Sequence, residues 1–423
     1  MAFTSLVLAC GGSTTNDIGG GAGGAGGAGG AVGTGGASSG GTTATGCKLE
    51  VESTGSLPGA VFDGARLSGP AIAATADGFM LGYRDQDGDS MRAVLAFLKD
   101  DGALSPAQNF DLGGCANQVP EDGVGMAFAG TSGMMTTSLP DCGQGAGAVF
   151  IPFNSKGQVE QAVGPRNKSF KQLWMAQSGA IAPAAGNDDW ELVYRVQHQA
   201  DSPSVERLVL EGSAFKTSVP IAKPFGEADV AYTMVATSPQ VRAFLAPVQS
   251  GGEGTTVVKV GDRSSDTLDL SHELSLPRAA PWAALVAWND KLAAAIPATV
   301  GMTVQPAVWK LGAISPTAPM QIGKGTVMGG ALVVLRDHLF VVQARSGGIS
   351  VYRLDGANGS LAAGPAVSMD FAGSLGTMNL SAFDGTRIAA AAARDRVAVT
   401  WLTKATADSA LPIGGWALLR CAK

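Results

Sequence analysis

Charge is scarce in this sequence. Asp, Glu, Lys and Arg make up 15% of its 423 residues, while glycine alone contributes 60. Aromatic residues are few, at 6%, and there are three histidines, His198, His272 and His338, far apart in the chain. No apolar run reaches spanning length, which excludes a membrane-crossing helix. No basic stripe occurs and the formal net charge is -6, which argues against a nucleic-acid partner. No Gly-x-Ser-x-Gly elbow is present, so no Ser/His/Asp set can be named. Neither Cys-x-x-Cys nor clustered His marks a zinc site. The glycines of residues 19–30 follow no strand and lead to no Gly-Lys-Ser/Thr, so they form no phosphate loop, and no other cofactor motif is found.

What the sequence does contain is a repeat. Its clearest copy runs from Gly330 to Leu361: an apolar strand (Ala331 to Leu335), a tight turn at Asp337, a second strand (Leu339 to Gln343), a turn at Ser346-Gly347-Gly348, and a third strand (Ile349 to Leu354). Short strands separated by turn residues predict an antiparallel meander. Turns between first and second strands fall near Gly78, Gly133, Asp189, Pro239, Asp290, Asp337 and Gly385, roughly 50 residues apart. A second marker keeps step. Third strands read as Val94 to Leu98, Val149 to Phe153, Arg207 to Leu210, Thr256 to Val260, Val308 to Leu311, Val351 to Leu354 and Val399 to Leu402. A weaker fourth strand per unit, such as Ala366 to Phe371, completes a four-stranded sheet. The fold class expected is all-β, a seven-bladed β-propeller with the blade count good to one either way. Cys47 to Ser53 is expected to add a strand to the last blade or to another. First strands rich in Ala, Gly and Val suit the crowded axis of such a ring. A string of β-sandwiches would need about 90–100 residues per unit and linkers between units, and no Pro/Ser-rich break interrupts residues 47–423. Trp-Asp endings and Asp boxes are missing, and Gly329-Gly330 is the one glycine doublet placed as in kelch repeats, so the likeness is to the architecture alone.

The N-terminus divides from this region. Phe3 to Ala9 is a short apolar run ending in Val7-Leu8-Ala9-Cys10, which resembles the lipobox of bacterial lipoproteins. No basic segment precedes it, and a translation start upstream of Met1 would account for that. The resemblance implies a thioether-linked diacylglycerol on Cys10, a membrane partner through that lipid, and, with Gly11 after the cysteine, an outer-membrane, extracytoplasmic address. Residues 11–46 are almost wholly Gly, Ala, Ser and Thr, with one charge at Asp17. Such a segment buries too little apolar surface to offset its ordering entropy, and is expected to be a disordered tether about 30–35 Å from end to end. The domains expected are therefore 1–10 (truncated signal peptide and lipobox), 11–46 (tether) and 47–423 (propeller).

With Cys10 lipidated, Cys47, Cys115, Cys142 and Cys421 remain. Four cysteines allow three pairings, and sequence alone does not choose among them. Position suggests Cys47 with Cys421, since a ring brings its ends together, and Cys115 with Cys142.

Candidate chemistry is thin. Asp85, Asp87 and Asp89 form the one carboxylate cluster and resemble the start of a calcium-binding EF-hand loop. Ser90 stands where that loop needs Gly and Ala96 where it needs Glu, so a solvated hairpin tip is the preferred reading. The tryptophans (Trp174, Trp190, Trp282, Trp288, Trp309, Trp401, Trp416) could line a sugar-binding face, but at strand positions they are expected to pack between blades. A glycosidase-like carboxylate pair at the channel mouth would be compatible with the composition, though nothing singles out two residues. The function expected is a non-catalytic, monomeric binding or scaffold module for a protein or glycan. The alternatives are a secreted propeller enzyme acting on glycans, and a scaffold resembling outer-membrane assembly lipoproteins.

Overall fold

The computed structural model describes residues 47–422 apart from 58–69, 88–89, 114–123, 140–144, 165–169, 175–180, 185–188, 199–203, 212–213, 216–218, 223–233, 249–254, 263–271, 277–282, 299, 311, 328, 346–347, 355–364, 371–387 and 403–413. The described residues are all β. Strand β1 (Lys48–Ser56) comes first, and blade 1 follows as β2 (Ala71–Ala74), β3 (Gly78–Asp87), β4 (Ser90–Lys99) and β5 (Gln108–Gly113). Blade 2 is β6 (Val124–Ala129), β7 (Ser132–Leu139) and β8 (Gly147–Asn154). Its outer edge is covered by an irregular segment that bridges at Phe150↔Val163 and Phe153↔Val159. Blade 3 holds β9 (Phe170–Trp174), β10 (Ile181–Pro183), β11 (Trp190–His198), β12 (Ser204–Glu211), β13 (Ala214–Phe215) and β14 (Val219–Ala222). Blade 4 holds β15 (Met234–Thr237), β16 (Val241–Val248), β17 (Thr255–Asp262) and β18 (His272–Leu276). Blade 5 holds β19 (Ala284–Trp288), β20 (Lys291–Pro297), β21 (Met302–Lys310), β22 (Ala313–Pro316) and β23 (Met320–Ile322). Blade 6 holds β24 (Gly329–Leu335), β25 (His338–Arg345), β26 (Gly348–Leu354) and β27 (Val367–Asp370). Blade 7 is β28 (Ile388–Ala393), β29 (Arg396–Leu402) and β30 (Gly414–Ala422), completed by β1. Every pairing is antiparallel, and the inner strands touch their neighbours all the way round, from β2 to β28 and back to β2. The ring is a seven-bladed β-propeller.

The seventh blade corrects the sequence reading in one respect. The turn expected near Gly385 lies outside the described residues, and Val399 to Leu402 belongs to the second strand of the blade, not the third. The third is β30, and the fourth, β1, comes from the other end of the chain. The reason lies in the first strand, Ile388-Ala-Ala-Ala-Ala-Ala393. Alanine is a poor strand former, so the pattern of branched and aromatic residues begins only at Val397.

The turns between first and second strands are closed in two ways. In blades 2, 5, 6 and 7 the first turn residue is left-handed: Gly130 (φ 58°), Asn289 (φ 50°), Arg336 (φ 56°) and Arg394 (φ 55°). That conformation matches the twist of the strands it joins. In blades 1 and 4 a hydroxyl performs the closure. Thr75 Oγ1 accepts from the amides of Asp77 (3.2 Å) and Gly78 (3.1 Å), and Ser238 Oγ accepts from that of Val241 (3.1 Å). The same hydroxyls donate across the seams, Thr75 to the Ser155 carbonyl (2.8 Å) and Ser238 to that of Asn289 (2.7 Å).

Closure of the ring is both covalent and hydrogen-bonded. β1 pairs with β30 from Lys48↔Ala422 to Ser56↔Gly415, and Cys47 is disulfide-bonded to Cys421 with their Cα atoms 5.1 Å apart. Arg353 of blade 6 donates to the Cys47 carbonyl (2.8 Å). Within this sheet two glycines seat tryptophans. Gly415 lies opposite Trp401 and Gly55 opposite Trp416, so closely that a Cβ on either would fall 2.6 Å from the indole.

Two expectations follow. Cys47→Ser should lower stability to denaturant by up to about 5 kcal/mol, as expected for opening so long a loop, and peptide mapping without reductant should recover the 47–421 linkage from the parent. Gly415→Val should cost about 1–3 kcal/mol through overpacking, read as a fall in melting temperature with a change in tryptophan fluorescence.

Candidate functional site

Chemistry on a ring needs reactive groups that converge at its axis. The inner strands β2, β6, β10, β15, β19, β24 and β28 contain no ionisable residue. Ala71, Ile72, Val124, Ile181, Ala182, Val235, Val286, Val333 and Ile388 on them are buried. The described part of the axis is a packed apolar wall, and the carboxylate pair a glycosidase would need is not on these strands.

The residues singled out by sequence do not gather in one place. Cys47 and Cys421 are joined as expected. Cys10, Cys115, Cys142 and Trp282 lie outside the described residues. Asp85 and Asp87 sit at the end of β3, where Asp87↔Ser90 is the last pair of the hairpin, and Asp89 lies outside the described residues. Among the described residues no group of three His, Cys, Asp or Glu side chains is placed to hold a metal ion. His198 ends β11, on blade 3. His272 of blade 4 meets the edge of Trp309 of blade 5 at 5.2 Å between ring centres, across the seam, and His338 that of Phe340 on its own strand at 6.4 Å. Trp190, Trp288, Trp309, Trp401 and Trp416 are buried, which makes them packing residues and not an open sugar-binding platform. Trp174 stands on β9.

The richest described cluster of charge lies instead at the closure seam between blades 7 and 1, on the face where the first and second strands turn. Arg396 forks onto Glu52 of β1 through Nε (2.8 Å) and Nη2 (3.1 Å), and its Nη1 reaches Asp395 (2.7 Å). Arg420 Nε approaches Asp395 at 3.5 Å. Arg394 donates from Nη2 to Asp100 (2.6 Å), on the turn after β4. The bond from Glu52 holds the Arg396 guanidinium charged still more firmly than usual. For Asp100 the geometry and the proton affinity pull opposite ways. Arg394 favours its charged form, but burial is the larger effect and, with repulsion from Asp395 and Asp77, pushes the carboxyl above its ordinary range. This network joins residues up to 344 positions apart, so local sequence gave no sign of it. Only Asp395 belongs to a sequence pattern, the Asp that recurs before second strands at Asp77, Asp189, Asp290 and Asp337. It can fasten a seam; it has no nucleophile and base in reach of each other.

Comparison with known proteins bears on the fold. No protein-family model matches the chain, and no curated protein matches it. Among solved structures it is similar to the polysaccharide lyase Uly1, with a TM-score of 0.53 at 8% identity over 87% of this chain and 94% of that one. It is also matched by a subtype N10 neuraminidase-like protein of A/little yellow-shouldered bat/Guatemala/060/2010, with a TM-score of 0.40 at 8% identity over 88% of this chain and 97% of that one. The WD40 domain of SCAP from fission yeast gives 0.39 at 8% identity over 89% and 98%. The likeness to Uly1 speaks for the architecture alone.

The direction of the Asp100 shift sets a sign. A carboxyl that holds its proton more tightly when folded removes stability as pH rises from its ordinary value through its raised one. Asp100→Asn should therefore be at least as stable as the parent at neutral pH. The difference in melting temperature should close as pH falls below about 4, the ordinary aspartate range.

Proposed function

We propose that this propeller is an extracytoplasmic binding or scaffold module, without catalysis of its own, carried on a lipid-bearing N-terminal segment. The observation that carries this reading is where the chain joins the ring. Cys47 and Cys421 stand together beside the blade 7 turn, and the Cys421 amide donates to the Asp395 carbonyl (2.7 Å). The N-terminal segment therefore meets the ring on the face of the short first-to-second-strand turns. The last described strand of a blade ends, and the next inner strand begins, on the opposite face. A ring hung from a lipid on Cys10 would turn that opposite face away from the membrane, where it can meet a ligand. The apolar inner wall and the lack of convergent titratable groups among the described residues favour binding over turnover. A protein and a glycan both remain ligand classes for that face.

The test is made on the full chain in its own cells. The parent should partition with membranes and yield a diacylglycerol-modified Cys10 peptide by mass spectrometry, whereas Cys10→Ser should appear in the soluble fraction. Crosslinking of intact cells followed by pull-down should recover a partner, and a glycan array probed with residues 47–423 separates the two ligand classes. An unmodified Cys10 overturns the anchor. Release of oligosaccharide from a polysaccharide panel by residues 47–423 overturns the non-catalytic reading.

A further inference from the structure

Among the described residues, apolar clusters span both blades at six of the seven seams: 1–2, 2–3, 4–5, 5–6, 6–7 and 7–1. Residues near the starts of the second strands take part in these clusters: Met134 and Trp190 between blades 2 and 3, Ala243 and Leu292 between blades 4 and 5, and Phe340 and Val397 between blades 6 and 7. Between blades 3 and 4 the starts of the second strands supply an ion pair. Glu191 of β11 is 0% exposed and Arg242 of β16 is 3% exposed. The Arg242 Nε stands 3.4 Å from Glu191 Oε1, the oxygen that also accepts from Arg207 Nη2 of β12. The second carboxylate oxygen, Oε2, is buried with no hydrogen-bond partner.

β10, the inner strand beside this seam, has three residues, fewer than any other described inner strand. The neighbouring layer of Val193, Val235 and Phe244 is buried, yet no described apolar cluster joins blade 3 to blade 4.

A buried ion pair returns little net stability, because the attraction is offset by the water its members give up, and a half-satisfied carboxylate returns less. When such a seam parts, the ions regain their hydration, whereas an apolar seam exposes surface that water disfavours. We propose that the seam between blades 3 and 4 is a built-in opening joint, at which the ring parts locally, ahead of global unfolding, while the disulfide keeps the seam between blades 7 and 1 shut. Local openings of this kind are read by amide exchange.

Hydrogen exchange on the disulfide-intact protein tests it. Peptides covering β11, β12 and β16 should exchange at least tenfold faster than those covering β24, β25 and β26. The triple variant Glu191→Met, Arg207→Met, Arg242→Leu, which gives this seam the composition of the others, should raise protection of β11 and β16 tenfold or more and leave β25 unchanged. Glu191→Gln, which removes the carboxylate charge from beside both guanidiniums, should speed exchange in β11 and β16 selectively, and it decides the matter should the triple variant fail to fold. Equal protection across the seven blades in the parent overturns the proposal. So does acceleration by Glu191→Gln that spreads evenly over all blades.

Discussion

Everything in this ring depends on a strand borrowed from the far end of the chain. β1 completes blade 7 by lying antiparallel to β30, and without it the blade would show an unpaired edge and the first and last blades would share no chain. The pairing is reinforced at each level of interaction strength. Backbone bonds run along its length, the Arg396–Glu52 fork locks one side, the Arg353 bond to the Cys47 carbonyl ties in blade 6, and the disulfide makes the join permanent. A ring buries the flat faces of every sheet only if it is complete, so the cost of ordering some of the chain is offset only at the moment of closure.

Packing at the axis explains the composition. The inner strands meet where space is smallest, so they are built from Ala, Gly and Val, while the second strands carry the larger buried groups such as Phe79, Tyr83, Tyr194 and Phe340. Where a large side chain lies over its own sheet, the opposite residue is glycine. Gly133 facing Phe153 repeats in blade 2 what Gly55 and Gly415 do under tryptophans in blade 7. The abundance of glycine that sets the sequence apart is thus partly a record of these close approaches.

Much of the fold was legible in the sequence because its signals are local. Turn residues such as Asp337 and the two-residue period of Leu339 to Gln343 announce hairpins, and seven such announcements at even spacing announce a wheel. The disulfide was legible from position, since a closed wheel must bring Cys47 and Cys421 together. The oligoalanine strand Ile388–Ala393 was not, because its suitability lies in crowding at the axis and not in any propensity of alanine. The ionic groups were illegible for another reason. Glu191 and Arg242 belong to different blades, as do Arg394 and Asp100, and each looks like an ordinary surface residue until the seam brings its partner. For the candidate site, the sequence offered Asp85, Asp87 and Asp89 and a set of tryptophans. The structure places the first two in a hairpin and buries Trp190, Trp288, Trp309, Trp401 and Trp416.

The staple also decides how the ring bears load. Tension arriving along the N-terminal segment reaches Cys47 and passes through sulfur directly to Cys421, so β1 and β30 are pulled as one body. Peeling an edge strand, which breaks backbone bonds one after another, needs little force. Here that mode is closed, because the strand that would peel is fastened at the point of attack to the strand beneath it. Residues 48–420 lie inside a covalent loop. A pull between the N-terminal segment and the last two residues therefore runs past the folded ring without straining it.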